Sequence, residues 1–397
     1  MRIILAPLII GLIVALIVDM RILQVVRKRC RSVVPARIHL CSSCAIYLVL
    51  IVALCMPHRG GSESGFLAVM WLLFTYLSVL CSKLLFVVVD LIACLPRLWK
   101  GKRIGGLSFA GGVMGVMLFL GMWWGALVNR YRIDVREVEV EVAGLPSAFD
   151  GYRIAQISDL HLGTYGGDTT YVNHLADVVN GLNTDVIVFT GDIVNRKTKE
   201  IYPHVSALAC LDAPDGVYSI LGNHDYGDYS DWDSAEAKKA NLEELISVQK
   251  SMGWKLLLNE HDVIYRRGDS IVMVGVENVG DPPFATYGSL EDAYPTLSDG
   301  NTKILLSHNP AHWENDIRDS DTTQIALTLS GHTHAMQIEV LGVSPAVMRY
   351  KYWGGLYDSP SHPNAGKLYV NIGIGTVGMP MRFGATPEVT VLTLKRK

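Results

Sequence analysis

Acidic side chains are nearly missing from the first third of this 397-residue chain. Residues 1–129 hold only Asp19, Glu63 and Asp90 against 13 lysines and arginines, whereas residues 130–397 hold 35 acidic groups against 22 basic ones. Cysteine is nearly missing from the second part, where Cys210 stands alone and excludes an internal disulfide. That is compatible with an extracytoplasmic location without arguing for it. No internal repeat and no low-complexity tract is present. Charged residues make up 18% of the whole and apolar ones 50%. These shortages exclude a disordered chain, a disulfide-stapled scaffold and an ordinary soluble monodomain protein. The deficit of base in the second part excludes a general nucleic-acid binder.

What is there divides in two, a hydrophobic basic front (1–129) and an acidic rear (130–397). The front carries four apolar stretches, Ile3–Val18, His39–Met56, Phe66–Leu95 and Ile104–Val128. A spanning helix needs roughly 20 apolar residues, so we expect about four transmembrane helices, the third over-long. The first stretch lacks a basic leader and a small-x-small cleavage site, so it reads as a retained helix. Residues 20–38 carry Arg21, Arg27, Lys28, Arg29, Arg31 and Arg37, and residues 96–103 carry Arg97, Lys100, Lys102 and Arg103. The loop between, 57–65, has only His58 and Arg59. The positive-inside rule then puts both termini, and the rear domain, outside a plasma membrane. Arg130, Arg132 and Arg136 run against this orientation, but they are interleaved with Asp134 and Glu137 and are outweighed. Lys83 and Asp90 share a helix face, which reads as one charge snorkelling from an over-long helix. Cys41 and Cys44 form a solitary C-x-x-C that reads as small apolar packing.

From Tyr131 onward, short β-branched runs alternate with helical stretches, which predicts an α/β domain. Strands are expected at 135–142, 152–158, 185–190, 217–221, 271–276, 303–306, 325–329, 368–372 and 389–394, and helices at 169–182 and 234–252. The stretch 342–366 reads as a long loop. Five of the strands end in residues of the metal-ligand type. Asp159 and His161 are two apart, so an extended chain points both one way. Asp192 follows Gly191, Asn223 and His224 follow Gly222, His308 ends a fourth strand, and His332 and His334 repeat the two-residue spacing on a fifth. In open α/β sheets ligand sites gather at the carboxyl ends of strands. Oxygen mixed with imidazole suits manganese, iron, zinc or nickel better than calcium.

These blocks, S-D-L-H at 158–161, G-D at 191–192, G-N-H-D at 222–225, S-H at 307–308 and G-H-T-H at 331–334, resemble in order those of the calcineurin-like metallophosphoesterases. G-I-G-T at 373–376 and M-P-M-R-F at 379–383 look like the membrane-anchored bacterial branch of that family. The resemblance covers roughly 150–397. It implies a four-layer α/β/β/α sandwich with two divalent metal ions, manganese, iron, zinc or magnesium. Carried over, Asp159, His161 and His334 hold the first, Asn223, His308 and His332 hold the second, and Asp192 bridges them. His224 is the catalytic histidine beside the substrate. Asp225 is read either as its orienter or as a loop anchor. Two such cations, about 3.5–4 Å apart, would clamp a phosphoryl group and supply a hydroxide at neutral pH. The implied reaction is hydrolysis of a phosphate monoester, diester or pyrophosphate.

Membrane tethering favours a lipid-linked substrate. The resemblance extends to enzymes that cleave UDP-diacylglucosamine, a cytoplasmic substrate that conflicts with the orientation above. A tethered phosphatase for soluble nucleotides or phosphoproteins, and a non-catalytic membrane sensor or scaffold, are the alternatives. No nucleic-acid partner is expected. His174, His204, His261, His312 and His362 read as ordinary histidines, and Asp168 and Asp177 as a helix start and a solvated face. Arg382 reads equally as a phosphate contact or a structural salt bridge. Tyr350, Tyr352, Trp353 and Tyr357 read as cleft lining, as a membrane-interface cluster or as loop packing.

Overall fold

A computed structural model describes residues 2–57, 61–281, 285–320, 323–359 and 366–397, with side chains from Ile10 onward. His58, Arg59 and His362 lie outside the described residues. The chain divides into two units, Met1–Leu127 and Val128–Lys397.

In the first unit the apolar stretches form α1 (Arg2–Arg29), α2 (Val34–Cys55), α3 (Glu63–Cys94) and α4 (Gly105–Leu127). Pro35 sits in the first turn of α2, where its missing N–H costs nothing. Ser62 caps α3, its hydroxyl accepting from the Gly65 N–H at 3.1 Å. Among the described residues, Val34–Cys55, Glu63–Trp99 and Gly105–Tyr131 are long and apolar enough to cross a membrane. Helix α4 lies close against α3 because Gly111 and Gly115 lack side chains. A Cβ at those positions would come within 2.9 Å of Val89 and 2.8 Å of the Ser82 carbonyl oxygen. Lys83 and Asp90 take different partners. Lys83 donates to Asp19 (2.8 Å) and Ser43 (3.0 Å). Asp90, fully buried, accepts from Arg21 (2.6 Å) and from Arg103. Ion pairs between helices therefore replace the expected snorkelling charge. Cys41 and Cys44 are free and exposed rather than packed.

The second unit opens with β1 (Asp134–Val142) and β2 (Arg153–Ile157). Helix α5 (Thr170–Gly181) leads to β3 (Val186–Phe189), and the short α6 (Val205–Leu208) to β4 (Val217–Ser219). Helix α7 (Ala235–Ser251) precedes β5 (Lys255–Leu256), β6 (Glu260–Arg266) and β7 (Asp269–Gly275). The remaining strands are β8 (Lys303–Leu306), β9 (Leu327–Ser330), β10 (Gly355–Asp358), β11 (Lys367–Val370) and β12 (Glu388–Arg396). They build two six-stranded sheets, ordered β1-β12-β2-β3-β4-β5 and β10-β11-β9-β8-β7-β6. Strands β2 to β5 run parallel, as do β7, β8, β9 and β11.

Strand alternation assigns the layers. Ile154, Val186 and Val188 of one sheet share a core with Ile271, Met273, Ile304 and Leu306 of the other. Their neighbours Ala155, Ile157, Ile187 and Phe189 face outward, onto Val172, Leu175 and Val179 of α5 and Leu245 of α7. On the far side, Val272, Val274, Leu305 and Leu368 are covered by Trp313, Ile317 and Tyr294. The result is an α/β/β/α sandwich whose second outer layer consists of short helical turns. Arg130, which counted against the orientation, is buried in this unit. Its guanidinium lies 2.7 Å from the Tyr131 hydroxyl and 3.3 Å from the Thr164 carbonyl oxygen.

One buried histidine belongs to the packing. His312 is almost wholly enclosed, 2.9 Å from the Ser307 hydroxyl, and burial pushes its pKa down to about 4. Protons bind it more readily in the unfolded chain. Its contribution to stability is complete above pH 6.5 and is lost as pH falls toward 4, by roughly 2–3 kcal/mol. Unfolding free energies at pH 7 and pH 4.5 should therefore drop by that much more for the wild type than for His312→Gln. Equal drops would contradict the assignment.

Candidate metal centre

The five segments with the candidate ligands leave the carboxyl ends of β2, β3 and β4 in one sheet and β8 and β9 in the other. These strands are neighbours within their sheets, so the segments meet across the top of the sandwich. The backbone there is unusual. Asp159, His161, Asp192, His332 and His334 all have positive φ, between 46° and 75°. For non-glycine residues each such conformation costs roughly 1–2 kcal/mol. The strain aims side chains that a regular strand exit would send apart. The preceding glycines make room. A Cβ at Gly222 would fall on the Asp192 carboxylate, and one at Gly331 on Asp159 and Ser158.

All seven expected ligands arrive in two abutting groups. In the first, His161 Nε2 and His334 Nε2 are 2.9 Å apart, and His334 Nε2 is 3.3 Å from Asp159 Oδ1. In the second, His332 Nδ1 lies 2.9 Å from Asn223 Oδ1 and 3.3 Å from His308 Nε2. Asp192 Oδ2 joins the groups, 3.2 Å from His308 Nε2 and 3.6 Å from His161 Nε2. Converging oxygens and imidazole nitrogens with no competing amine suit divalent cations. Burial and the adjoining His224 and His334 hold His161 well below the ordinary histidine range. Burial and His308 push His332 down to about 3, and burial also lowers His334. Neutral rings are what metal ligation requires. His308 differs: although burial opposes its charge, the Asp192 carboxylate raises it to about 10. Against the cost of burial, His334 keeps Asp159 low and His308 keeps Asp192 low.

Neighbouring groups orient these rings. His308 Nδ1 is 2.7 Å from the Thr190 carbonyl oxygen, which leaves Nε2 for the site. Arg382 is fully buried and contacts neither an anion nor the cleft. It donates to the carbonyls of Gly375 (2.8 Å) and Ile372 (2.9 Å) and, from Nη2, to His334 Nδ1 (3.1 Å). Neither the phosphate contact nor the salt bridge expected from the sequence describes it.

His224 lies beside the candidate ligands, close to His161 and Asp192. Its backbone N–H donates to Asp192 Oδ1 (2.8 Å), and its ring stacks on Tyr229 with centroids 4.0 Å apart. The ring is oriented by the Asn195 carbonyl oxygen, 2.8 Å from Nδ1. Asp225 does not perform that task. Fully buried, it accepts from the backbone N–H groups of Asp192 (3.0 Å), Ile193 (3.0 Å), Val194 (3.2 Å) and Gly222 (2.9 Å). Burial and nearby Asp192 push its carboxyl up to about 7 against the pull of those donors. The orienting reading fails because consecutive side chains in this turn diverge. The loop-anchor reading describes Asp225.

A cleft of about 450 Å³ opens over the groups, lined by His224, Tyr229, Met336, Arg349, Tyr350 and Met379, among others. Tyr350 places its hydroxyl 3.3 Å from His332 Nε2, and Arg349 pairs with Asp281 at 3.3 Å. Of the expected aromatic cluster only Tyr350 lines the cleft. Tyr352 packs on Trp313 and Tyr357, and Trp353 on a small core with Ala335 and Ile372. His174 is exposed, and His204 and His261 bond backbone carbonyls. Asp168 accepts from the Thr170 N–H beside the start of α5, and Asp177 is exposed. Asn195, Tyr229 and Arg349 were not singled out from the sequence. Asn195 acts through its carbonyl, which carries no residue signature, and the other two lie outside the ligand blocks.

The family model for calcineurin-like phosphoesterases matches residues 152–336, which include all five blocks. The chain is 29% identical over 358 residues to the "Transmembrane protein with metallophosphoesterase domain" of Danio rerio, covering 86% of this chain and 77% of the relative. That span exceeds Val128–Lys397 and so reaches into the helical unit. It is 31% identical over 308 residues to the "Uncharacterized metallophosphoesterase YkuE" of Bacillus subtilis (strain 168), covering 74% of this chain and 94% of the relative. An "Uncharacterized metallophosphoesterase" of Aquifex aeolicus (strain VF5) is 27% identical over 286 residues, 70% of this chain and 99% of the relative. With the ligand blocks inside the matched region and the similarity running along nearly the whole of a bacterial relative, the chain belongs to the calcineurin-like metallophosphoesterases, hydrolases that act on phosphate esters.

Proposed function

We propose that the chain is a membrane-held phosphoesterase that binds two divalent cations, of the manganese, iron, zinc or magnesium class. Asp159, His161 and His334 hold one, Asn223, His308 and His332 the other, and Asp192 serves both. The observation that carries this reading is the Asp192 carboxylate, standing between two clusters of imidazole nitrogens. Cations held there would polarise a phosphoryl group and lower the pKa of an attacking water. The residues around them do the rest. With Nδ1 turned to the Asn195 carbonyl, His224 presents Nε2 to the substrate and passes a proton to the leaving oxygen. Tyr229, stacked on that ring, limits its rotation. Arg349 at the cleft wall meets a second anionic group of the substrate.

The reaction is hydrolysis of a phosphate mono- or diester or a pyrophosphate, with a lipid-linked substrate favoured by the apolar helices. The basic loops 20–38 and 96–103 support an orientation with the catalytic unit outside a bacterial plasma membrane.

Full-length protein in detergent should hydrolyse bis-p-nitrophenyl phosphate when supplied with manganese and lose that activity on chelation. A cation at about 100 times its Kd adds about 2.7 kcal/mol. For a unit of this size the unfolding midpoint should then rise by roughly 5–10 °C over the chelated protein. Bound metal without turnover of any ester would favour a non-catalytic scaffold. Comparing phospholipid in mixed micelles with free nucleotides separates a lipid substrate from a soluble one.

A further inference from the structure

Beside the cleft, the segment from Met336 to Lys351 reads M-Q-I-E-V-L-G-V-S-P-A-V-M-R-Y-K. Its base is firmly held. Ala335, Met336 and Gln337 follow His334 in left-handed conformations, and the Glu339 N–H donates to the Phe383 carbonyl at 2.8 Å. A bridge between Val340 and Val343 closes a tight turn with Leu341 (φ 54°) and Gly342 (φ 78°) at its tip. Buried Ser344 then donates to the Ala335 carbonyl and caps a second turn, Pro345–Met348. On this rigid base stand six exposed apolar side chains, Met336, Val340, Leu341, Val343, Val347 and Met348. Leu341 is 98% exposed and Met348 88%. Among the described residues of Val128–Lys397, the other exposed large aliphatic side chains are only Val128 and Val135. A folded unit rarely concentrates apolar surface this way without an occupant for it.

The occupant is argued from shape, charge and position. The patch is a protruding tip of aliphatic and methionine side chains, and the segment's one aromatic residue, Tyr350, is turned inward against His332 instead of standing on the tip as an anchor for a protein partner. Half-exposed Arg349 and exposed Lys351 follow it directly, placed to exchange Asp281 and Glu314 for anionic headgroups. The chain's own apolar helices bring a bilayer to every copy. Met336 and Arg349 belong both to this segment and to the cleft wall. We propose that Val340–Met348 is a finger that inserts into the bilayer interface and seats the mouth of the cleft on the lipid surface. Resting on the functional reading above, this deepens it: the ester enters from the lipid phase, its phosphate passing Arg349 toward the metal centre and its chains staying in the bilayer.

The test uses the full chain with its seven native cysteines replaced by serine, reconstituted in vesicles of phosphatidylglycerol and phosphatidylcholine. Spin labels at Leu341→Cys and Met348→Cys should be open to oxygen and shielded from a water-soluble nickel complex. A label at Tyr265→Cys, on strand β6, should remain open to nickel. Nickel access at 341 equal to that at 265 overturns the proposal, as does shielding accompanied by spin–spin broadening, which would make a second copy the occupant. In the native background, Leu341→Ser/Met348→Ser should lower kcat/KM for phospholipid in vesicles about tenfold or more and leave bis-p-nitrophenyl phosphate hydrolysis unchanged. Equal effects on both substrates would refute the finger. Inserted labels on a protein that hydrolyses no ester would remove the functional reading and keep the finger. Hydrolysis with water-exposed labels would do the reverse.

Discussion

Replacing Asp192 with alanine should silence the enzyme, lowering turnover roughly a thousandfold or more, as happens when one group supports parts that act together. Asp192 Oδ2 is the oxygen shared by the two imidazole clusters, and Oδ1 accepts from the His224 backbone. Its loss takes from both groups the carboxylate oxygen they share and uncouples the turn that carries His224. Bound metal should fall together with activity. Asp192→Asn keeps the shape and the Oδ1 contact but removes the charge, so it should fold like the wild type and still lose most of its metal. The check is metal content by mass spectrometry alongside turnover. An asparagine variant with full metal and full activity would show that Asp192 is not the shared ligand.

His224→Asn should produce a different defect. The proton delivered to a leaving oxygen is worth on the order of a hundredfold to a thousandfold, so kcat should fall by that amount while metal content stays at the wild-type level. The His224 backbone, which contacts Asp192, is retained in this variant. The loss should shrink for esters with a good leaving group such as p-nitrophenol, which leaves without help. Metal loss in this variant would make His224 a ligand rather than a proton donor. An undiminished rate on alkyl esters would leave it without a chemical role. Together the two substitutions separate holding cations from moving a proton.

The strands that carry the site were readable because each is short, β-branched and followed at once by glycine or an ionisable residue. The run 303–306 coincides with β8, and 185–190 and 217–221 overlap β3 and β4. The strands missed are edge strands. β5 has two residues, too few for any period to show, and β6 reads E-H-D-V-I-Y-R, with polar groups on both faces because one edge meets water. β10 lay inside the expected long loop, and its pairing with β11 is a tertiary fact. Within the site, residue types in order pointed to the side chains that converge, since two-residue spacings and glycine-led turns leave a local trace. The partners of His224 and Asp225 left none. One is a backbone carbonyl and the other a set of backbone amides, invisible in side-chain identity. Arg382 was misjudged for a related reason: nothing local tells a guanidinium that braces carbonyls from one that meets an anion.

The left-handed backbone of the ligand turns makes the inner part of this unit hard to retune. Each of those residues depends on a glycine neighbour or a fixed loop to hold its angle, so a change at one displaces the rest. The rim from Met336 to Lys351 is anchored at its base in the same way, but the side chains of Leu341 and Met348 at its tips touch little of their own unit. If the finger seats the cleft as proposed, reactivity and substrate choice reside in separable stretches of chain. A new preference for an ester could be bred by changing the side chains at those tips alone, with the inherited cradle beneath left as it stands.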